Sequence, residues 1–244
     1  MVTRKQLQPV VRREERGLSR SGRIAVVLGL FAVVVFLAVF AAMAFVATEP
    51  PTVSFIKGHK AGSAVHLVAQ TDGAGGTGIH PTWVSYQVKT PQSGKWVHTT
   101  LWQLPTNTRI DVTIYQFDSG GPLRNQQWGR VTGTTGNAAT LTGTTFTVLN
   151  SYKRPVGHTF SVAALGINVP LAGVKTTEKG FCQSGPCNPG TQLHHTVTFS
   201  FKTPKTPGNY RFQCFIPCGA GHYAGNGGPM QTLGFMGGFL EVQA

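Results

Sequence analysis

With 244 residues, 21 lysines and arginines against 8 acidic residues and a net charge of +13, the chain is long enough for one well-filled domain plus an appendage and too short for two large ones. Charged residues are only 12% of the total, while 31 glycines and 15 prolines are spread along it, a composition that fits a loop-rich β protein and argues against a helical one. Nucleic-acid binding is excluded by the distribution of charge: seven cations lie between Arg4 and Arg23, the others are scattered from Lys57 to Arg211, and no basic footprint with interleaved aromatics appears.

Residues 1–23 read as a basic cytoplasmic tail. Ile24 to Ala47, IAVVLGLFAVVVFLAVFAAMAFVA, is uncharged throughout; as a helix it would extend about 36 Å, enough to cross a hydrocarbon core of about 30 Å with some tilt. A cleaved signal peptide, with small residues at Ala42 and Ala44, is the competing reading, but secretory apolar cores are usually much shorter. Cations crowd the residues before this run, and Glu49, Pro50 and Pro51 follow it. The positive-inside rule therefore predicts a single-pass cell-membrane protein with a cytoplasmic N-terminus and a periplasmic or extracellular remainder.

Residues 48–94 are Gly-rich and weakly patterned, and read as a linker with irregular first strands. Beyond them come strand-like runs rich in Val, Thr, Tyr and Phe: TWVSYQVK, KWVHTTLWQL, RIDVTIYQF, TFTVL, HTFSVAAL, HTVTFSF, GNYRFQC and GGFLEV. Short alternating strands with Gly/Pro turns predict a mainly β domain over 95–244, a β-sandwich or Greek-key barrel. Two stretches interrupt it, near 119–143 and near 169–193. From residue 50 onward the only acids are Asp72, Asp111, Asp118, Glu178 and Glu241. So few carboxylates leave little pairing for acid to undo, which suits an acidic exterior and, equally, a basic surface that docks an acidic partner. No phosphate-binding Gly loop and no Ser-His-Asp order is present.

Four cysteines in an exported chain first suggest two disulfides. Cys182 and Cys187 fit that, in CQSGPC with no histidine within five residues. Cys214 and Cys218 fit it less well, because CFIPCGAGH places His222 four residues after the second thiol. Thiolates with imidazole suit copper and zinc. A structural zinc site wants four ligands, often from paired knuckles, and only one pair with one His stands here. Copper electron-transfer sites instead take one His from an early strand and Cys, His and a weak axial Met from a late loop. His158 at the head of HTFSV, then Cys214, Cys218 and His222, then Met230 and Met236 before GGFLEV follow that order.

CFIPCGAGH resembles the Cys-x-x-x-Cys-Gly-x-x-His loop of the dinuclear CuA centre of subunit II of haem-copper cytochrome oxidases and of nitrous oxide reductase. HTFSVAALGINVPL, TFSFKTPKTPGNYRFQC and MGGFLEV are similar to the family's His-bearing strand, its strand and Pro-Gly turn into the first cysteine, and its exit strand. The single apolar segment is similar to the one-helix type of subunit II. The resemblance implies a cupredoxin-like Greek-key fold behind one transmembrane helix. It implies two copper ions bridged by Cys214 and Cys218, capped by His158 and His222, with the carbonyl of Ile216 and the thioether of Met236 as weak ligands and Met230 in reserve. It further implies a haem-bearing oxidase subunit I as membrane partner, a soluble cytochrome c or small copper protein as donor, and no bond-breaking site in this chain. Two positions depart from the family pattern: Gly225 stands where a Met is usual, and Ile216 where many members have Glu, so no carboxylate there reaches a neighbouring subunit's metal.

Three other readings stay open: a mononuclear cupredoxin using one cysteine, a metal-free sandwich with Cys214 and Cys218 disulfide-linked, and a copper chaperone. His59, His66, His80 and His98 read as surface residues, and at most one of His194 and His195 faces inward. Trp83, Trp96, Trp102 and Trp128 read as core or anchoring aromatics, one of which could pass electrons if it lies near the site.

Overall fold

A computed structural model describes residues 19–43, 50–72, 75, 80, 82–183, 185–218 and 228–244. Its compact units are Met1–Thr48 and Glu49–Ala244. In the first, Ser19 caps helix α1 (Arg20–Ala41) by accepting a hydrogen bond from the Gly22 amide at 3.2 Å. The helix starts four residues before the apolar run, so that Arg20 and Arg23 sit in its first turn, and it buries none of its side chains. Its length of about 33 Å and its composition are enough to cross a membrane.

The second unit is built of strands: β1 (Thr52–Ser54), β2 (Val65–Asp72), β3 (Ser85–Lys89), β4 (Trp96–His98), β5 (Leu101–Pro105), β6 (Arg109–Gln116), β7 (Ala139–Leu141), β8 (Thr144–Phe146), β9 (Val156–Val162), β10 (Ile167–Ala172), β11 (His195–Lys202), β12 (Gly208–Gln213) and β13 (Gly237–Gln243). They form a six-stranded sheet in the order β1-β5-β13-β12-β9-β10 and a seven-stranded sheet in the order β4-β3-β2-β6-β11-β7-β8. Both sheets are mixed: β5 lies parallel to β1 and β13, β2 lies parallel to β6, and the remaining pairs are antiparallel.

The two sheets meet through aromatic side chains. Tyr86 on β3 approaches Trp102 on β5 and Phe212 on β12 edge-on, at ring-centre distances of 5.9 and 5.8 Å, and Phe160 on β9 lies 5.5 Å from Phe199 on β11. Period-two burial explains the inward faces: on β6, Ile110, Val112 and Ile114 point in while Arg109, Asp111 and Thr113 do not. Gly238 on β13 has a close-approach role, since a Cβ there would clash with the Thr100 backbone and side chain. The domain is thus mainly β, a two-sheet sandwich in which a strand bearing His158 neighbours the last hairpin of the same sheet.

Three stretches differ from the sequence expectation. Residues 48–94 are more than a linker with irregular strands, because β2 is a regular eight-residue strand held between β3 and β6 inside the larger sheet. The first part of the stretch 119–143 runs along β9 and β10, all of whose residues are buried, and its last part forms β7 of the larger sheet. Gly121 bridges to Val156, Thr132 bridges to Asn168, and the Asn168 amide donates to the carbonyls of Trp128 and Arg130 at 3.2 and 2.6 Å. The stretch that begins at 169 is still strand until Ala172. Nor are all four early histidines on the surface: His80 stacks on Trp83 with ring centres 3.6 Å apart, and His98 packs edge-on to Phe235 with its Nε2 buried. Burial lowers the His98 pKa.

Cys182 and Cys187 are disulfide-bonded. Their loop is pinned to β2, where the buried Asp72 carboxylate accepts from the Cys187 amide at 2.8 Å and the Gln70 side chain donates to the Cys187 carbonyl at 3.1 Å. Replacing both cysteines by alanine is expected to cost about 2 kcal/mol, the entropy value for so short a closed loop, read as a lowered denaturant midpoint at unchanged slope.

Candidate metal centre

Strand order brings the site residues together. β12 lies beside β9 in the smaller sheet, joined at Gln213 and Ser161, so the chain leaving β12 passes the buried His158. The Thr159 hydroxyl accepts from the Phe215 amide at 2.9 Å, and the Cys214 amide donates to the Met236 carbonyl at 2.9 Å, fixing the turn between two strands. The amides of Thr159 and Ile216 point at the Cys214 sulfur from 3.5 and 3.4 Å.

Cys214 and Cys218 are free and buried, with sulfurs 3.7 Å apart. A disulfide requires about 2.05 Å, so these two are not bonded to each other. His158 turns Nδ1 toward the Cys214 sulfur at 3.7 Å, and the ligand atoms of His158, Cys214 and Cys218 lie within 4.8 Å of one another. The Ile216 carbonyl oxygen is 3.4 Å from the same sulfur. Met236 and Met230 are buried in the same apolar cluster as both cysteines, Met236 fully. His222 lies outside the described residues.

The residue that sequence reasoning passed over is Asp118. Its carboxylate lies 2.9 Å from His158 Nε2, the ring nitrogen facing away from the sulfurs. Glycine makes this contact possible: a Cβ on Gly157 would sit 2.7 Å from the Ser119 carbonyl, and one on Gly120 would sit 2.5 Å from the Val156 carbonyl carbon. Backbone therefore packs on backbone, and Asp118 is delivered to the imidazole. The signal was an acid directly after a strand and before Ser-Gly-Gly, in a chain nearly devoid of acids.

Three groups in contact shift one another. Burial alone would lower the His158 pKa, but hydrogen bonds to Asp118 and Cys214, and their negative charge, lift it to about 10. Burial alone would raise Cys214, but hydrogen bonds from Cys218 and His158 and the imidazolium charge bring it well below the usual thiol range. Cys218 goes the other way: donating to Cys214, then burial, hold its proton on. The shifts together favour a proton on His158 and on Cys218 and disfavour one on Cys214.

These donors fit a soft metal. Two sulfurs 3.7 Å apart are close enough for both to bond one ion at about 2.3 Å, and a ligating imidazole commonly gives its other N–H to a carboxylate, as His158 does to Asp118. Metal binding requires a neutral imidazole and two thiolates, so loading is expected to release about two protons, from His158 and Cys218, and affinity should climb as pH rises toward 10, where His158 loses its proton unaided. Metal titration in weak buffer with a pH electrode measures this directly. Asp118→Asn, which keeps the shape and removes the charge, should weaken metal binding 10- to 100-fold in a competition assay with a chelator.

The centre is bordered by a cavity of about 880 Å³ lined by Asp118, His158, Ile216, Cys218, Phe215 and Trp128. Trp128 and Phe215 stack face to face with ring centres 4.4 Å apart. Of the four tryptophans, Trp128 is thus an anchoring aromatic beside the centre, while Trp102 is a core residue with no exposed surface.

Fold and site together define a β-sandwich with a buried thiol–imidazole cluster at the end of its smaller sheet. No family model matches the sequence and no curated protein matches it. Among solved structures the chain is similar to reduced rusticyanin, at 20% identity over 79% of this chain and 84% of that one with a TM-score of 0.30. It is also similar to rusticyanin from Thiobacillus ferrooxidans, at 21% identity over 79% and 82% with a TM-score of 0.30.

Proposed function

We propose that this chain is a membrane-tethered copper electron carrier whose centre holds two copper ions between Cys214 and Cys218. The observation that carries the reading is the pair of buried, unbonded sulfurs 3.7 Å apart with an oriented imidazole against one of them. His158 and His222 would cap the two ions, with the Ile216 carbonyl and the Met236 thioether as weak ligands and Met230 in reserve. A backbone oxygen and a thioether in weak positions favour copper over zinc. Copper supplies a one-electron couple. The protein holds His158 on β9, in one orientation through Asp118, and the two cysteines in the hydrogen-bonded turn that follows β12, so little would have to move when charge arrives.

In this reading α1 spans the cell membrane with the N-terminus in the cytoplasm, and the β domain works on the outer side. A soluble cytochrome c or small copper protein delivers electrons, and a haem-bearing subunit I of a terminal oxidase receives them. The chain breaks no substrate bond. Metal analysis and visible spectra of the full chain purified from its native membrane test this. Two coppers per chain with a purple mixed-valence spectrum and a haem protein in the same preparation are expected. One blue copper would replace the reading by a mononuclear cupredoxin, and a colourless zinc protein would end it.

A further inference from the structure

Residues 121–131 and 147–156 lie side by side as a tongue. Gly121 bridges to Val156 and Arg130 to Val148, both antiparallel. The Leu123 amide donates to the Ser151 hydroxyl at 3.0 Å, and the Leu149 amide donates to the Gly129 carbonyl at 2.8 Å. Among the described residues of the β domain, the exposed large apolar side chains are Val148 and Tyr152, at 51% and 76% exposure, and both are on this tongue. With them stand Arg124, Arg130, Lys153 and Arg154, all exposed. Arg130 and Val148 are directly opposed in their bridge, so their side chains share one face.

The four cations have no ion-pair partner among the described residues. Acids near this surface are engaged elsewhere: Asp118 by His158 at 2.9 Å, and Glu178, three residues before Phe181 at the cavity wall, by Lys175 at 3.5 Å. The tongue also forms one wall of the cavity beside the candidate metal centre, through Gly121, Arg124 and Trp128. Trp128 stacks on Phe215, the neighbour of Cys214. An apolar centre rimmed by polar groups, with Tyr and Arg prominent, is the make-up of a protein-binding patch. Arginine's planar fork matches carboxylates.

We infer that the tongue is the docking face for the soluble electron donor, and that the donor meets it with a carboxylate-rich surface. The donor role rests on the copper reading above. Unpaired cations beside the centre attract an acidic protein from a distance and set its orientation, while Val148 and Tyr152 give it an apolar contact. Anionic lipid is the poorer match, because a tongue held against a bilayer would close the way from solution to Trp128 and Phe215.

The test uses the full-length chain in nanodiscs of neutral lipid. One variant reverses the tongue, with Arg124→Glu, Arg130→Glu, Lys153→Glu and Arg154→Glu. A control of equal charge carries Lys57→Glu, Lys60→Glu, Lys202→Glu and Lys205→Glu. Lys57 and Lys60 lie by the start of β2, and Lys202 ends β11 opposite Arg109, a full strand of about 24 Å from Gln116 and the adjoining Asp118. For the metal-free chain, affinity for fluorescent poly-L-glutamate is expected to fall about 10-fold or more in the tongue variant and less than about 3-fold in the control. For the copper-loaded chain, one-electron exchange with the hexacyanoferrate(II)/(III) couple should slow about 10-fold or more in the tongue variant, and the parental rate should fall as salt is added. Glutamine at the same four positions should give intermediate values of both. A tongue variant that matches the control in both measurements overturns the inference and leaves the copper reading intact. If the reversals abolish binding to vesicles of anionic lipid but leave polyglutamate binding at the parental level, the tongue meets a membrane and the inference falls. If the parent takes up no copper, the donor role falls with the proposed function, and the polyglutamate measurement still decides whether the tongue binds acidic protein surfaces.

Discussion

Cys218→Ser is expected to empty the centre. Serine matches the shape, but its oxygen is a hard donor that does not bridge soft metal, and the loss in affinity should exceed the ~100-fold that outer partners such as Asp118 cost. In a loading experiment the variant should keep its β-sheet circular dichroism, bind copper weakly and lack sulfur-to-copper absorption. The fold should survive because Cys218 is at the margin of the core and still 8% exposed; a buried serine hydroxyl without a partner costs about 1–3 kcal/mol. Retention of the parental copper content and spectrum would show that Cys218 is an ordinary core cysteine. Alkylation of the denatured, metal-free parent without prior reduction provides the matching control, since two free thiols should both take label.

Trp102→Ala is expected to have the largest effect on stability. The side chain has no exposed surface, stacks on Phe212 at 4.7 Å and on Phe160 at 6.2 Å, meets Tyr86 edge-on, and donates from its ring nitrogen to the Thr99 carbonyl at 3.1 Å. Truncating such a residue costs about 3–5 kcal/mol, a large share of the roughly 5–15 kcal/mol by which a domain is stable. Guanidinium unfolding of parent and variant measures the difference. Because Phe212 leads directly into Cys214, the variant should also bind copper less tightly, although Trp102 is no ligand. A loss below about 1 kcal/mol would mean that the two sheets are held together elsewhere.

Local pattern alone made much of the fold legible. RIDVTIYQF and HTVTFSF alternate cleanly because one face of each strand meets the core, and the period of two survives without knowledge of the partner. β2 escaped because VHLVAQTD is buried at most of its positions and sits among glycines, so neither alternation nor length marks it as an interior strand. KWVHTTLWQL read as one strand, yet its halves β4 and β5 lie in different sheets. The break falls at Thr99 and Thr100, whose hydroxyls bond to the carbonyls of Pro51 and Gly237, partners far away in sequence.

The same division runs through the candidate metal centre. Spacing within CFIPCGAGH put two thiols in reach of one another, and the order of His158, the late loop and the methionines pointed to copper chemistry, because ligand type and local reach are properties of the chain itself. Whether the two sulfurs would be bonded was undecided at that level, since Cys-x-x-x-Cys permits either; folding sets them 3.7 Å apart. Asp118 became visible only with the sheets assembled. Its partner His158 is forty residues distant, and a contact made by packing one segment on another leaves no periodic trace in sequence.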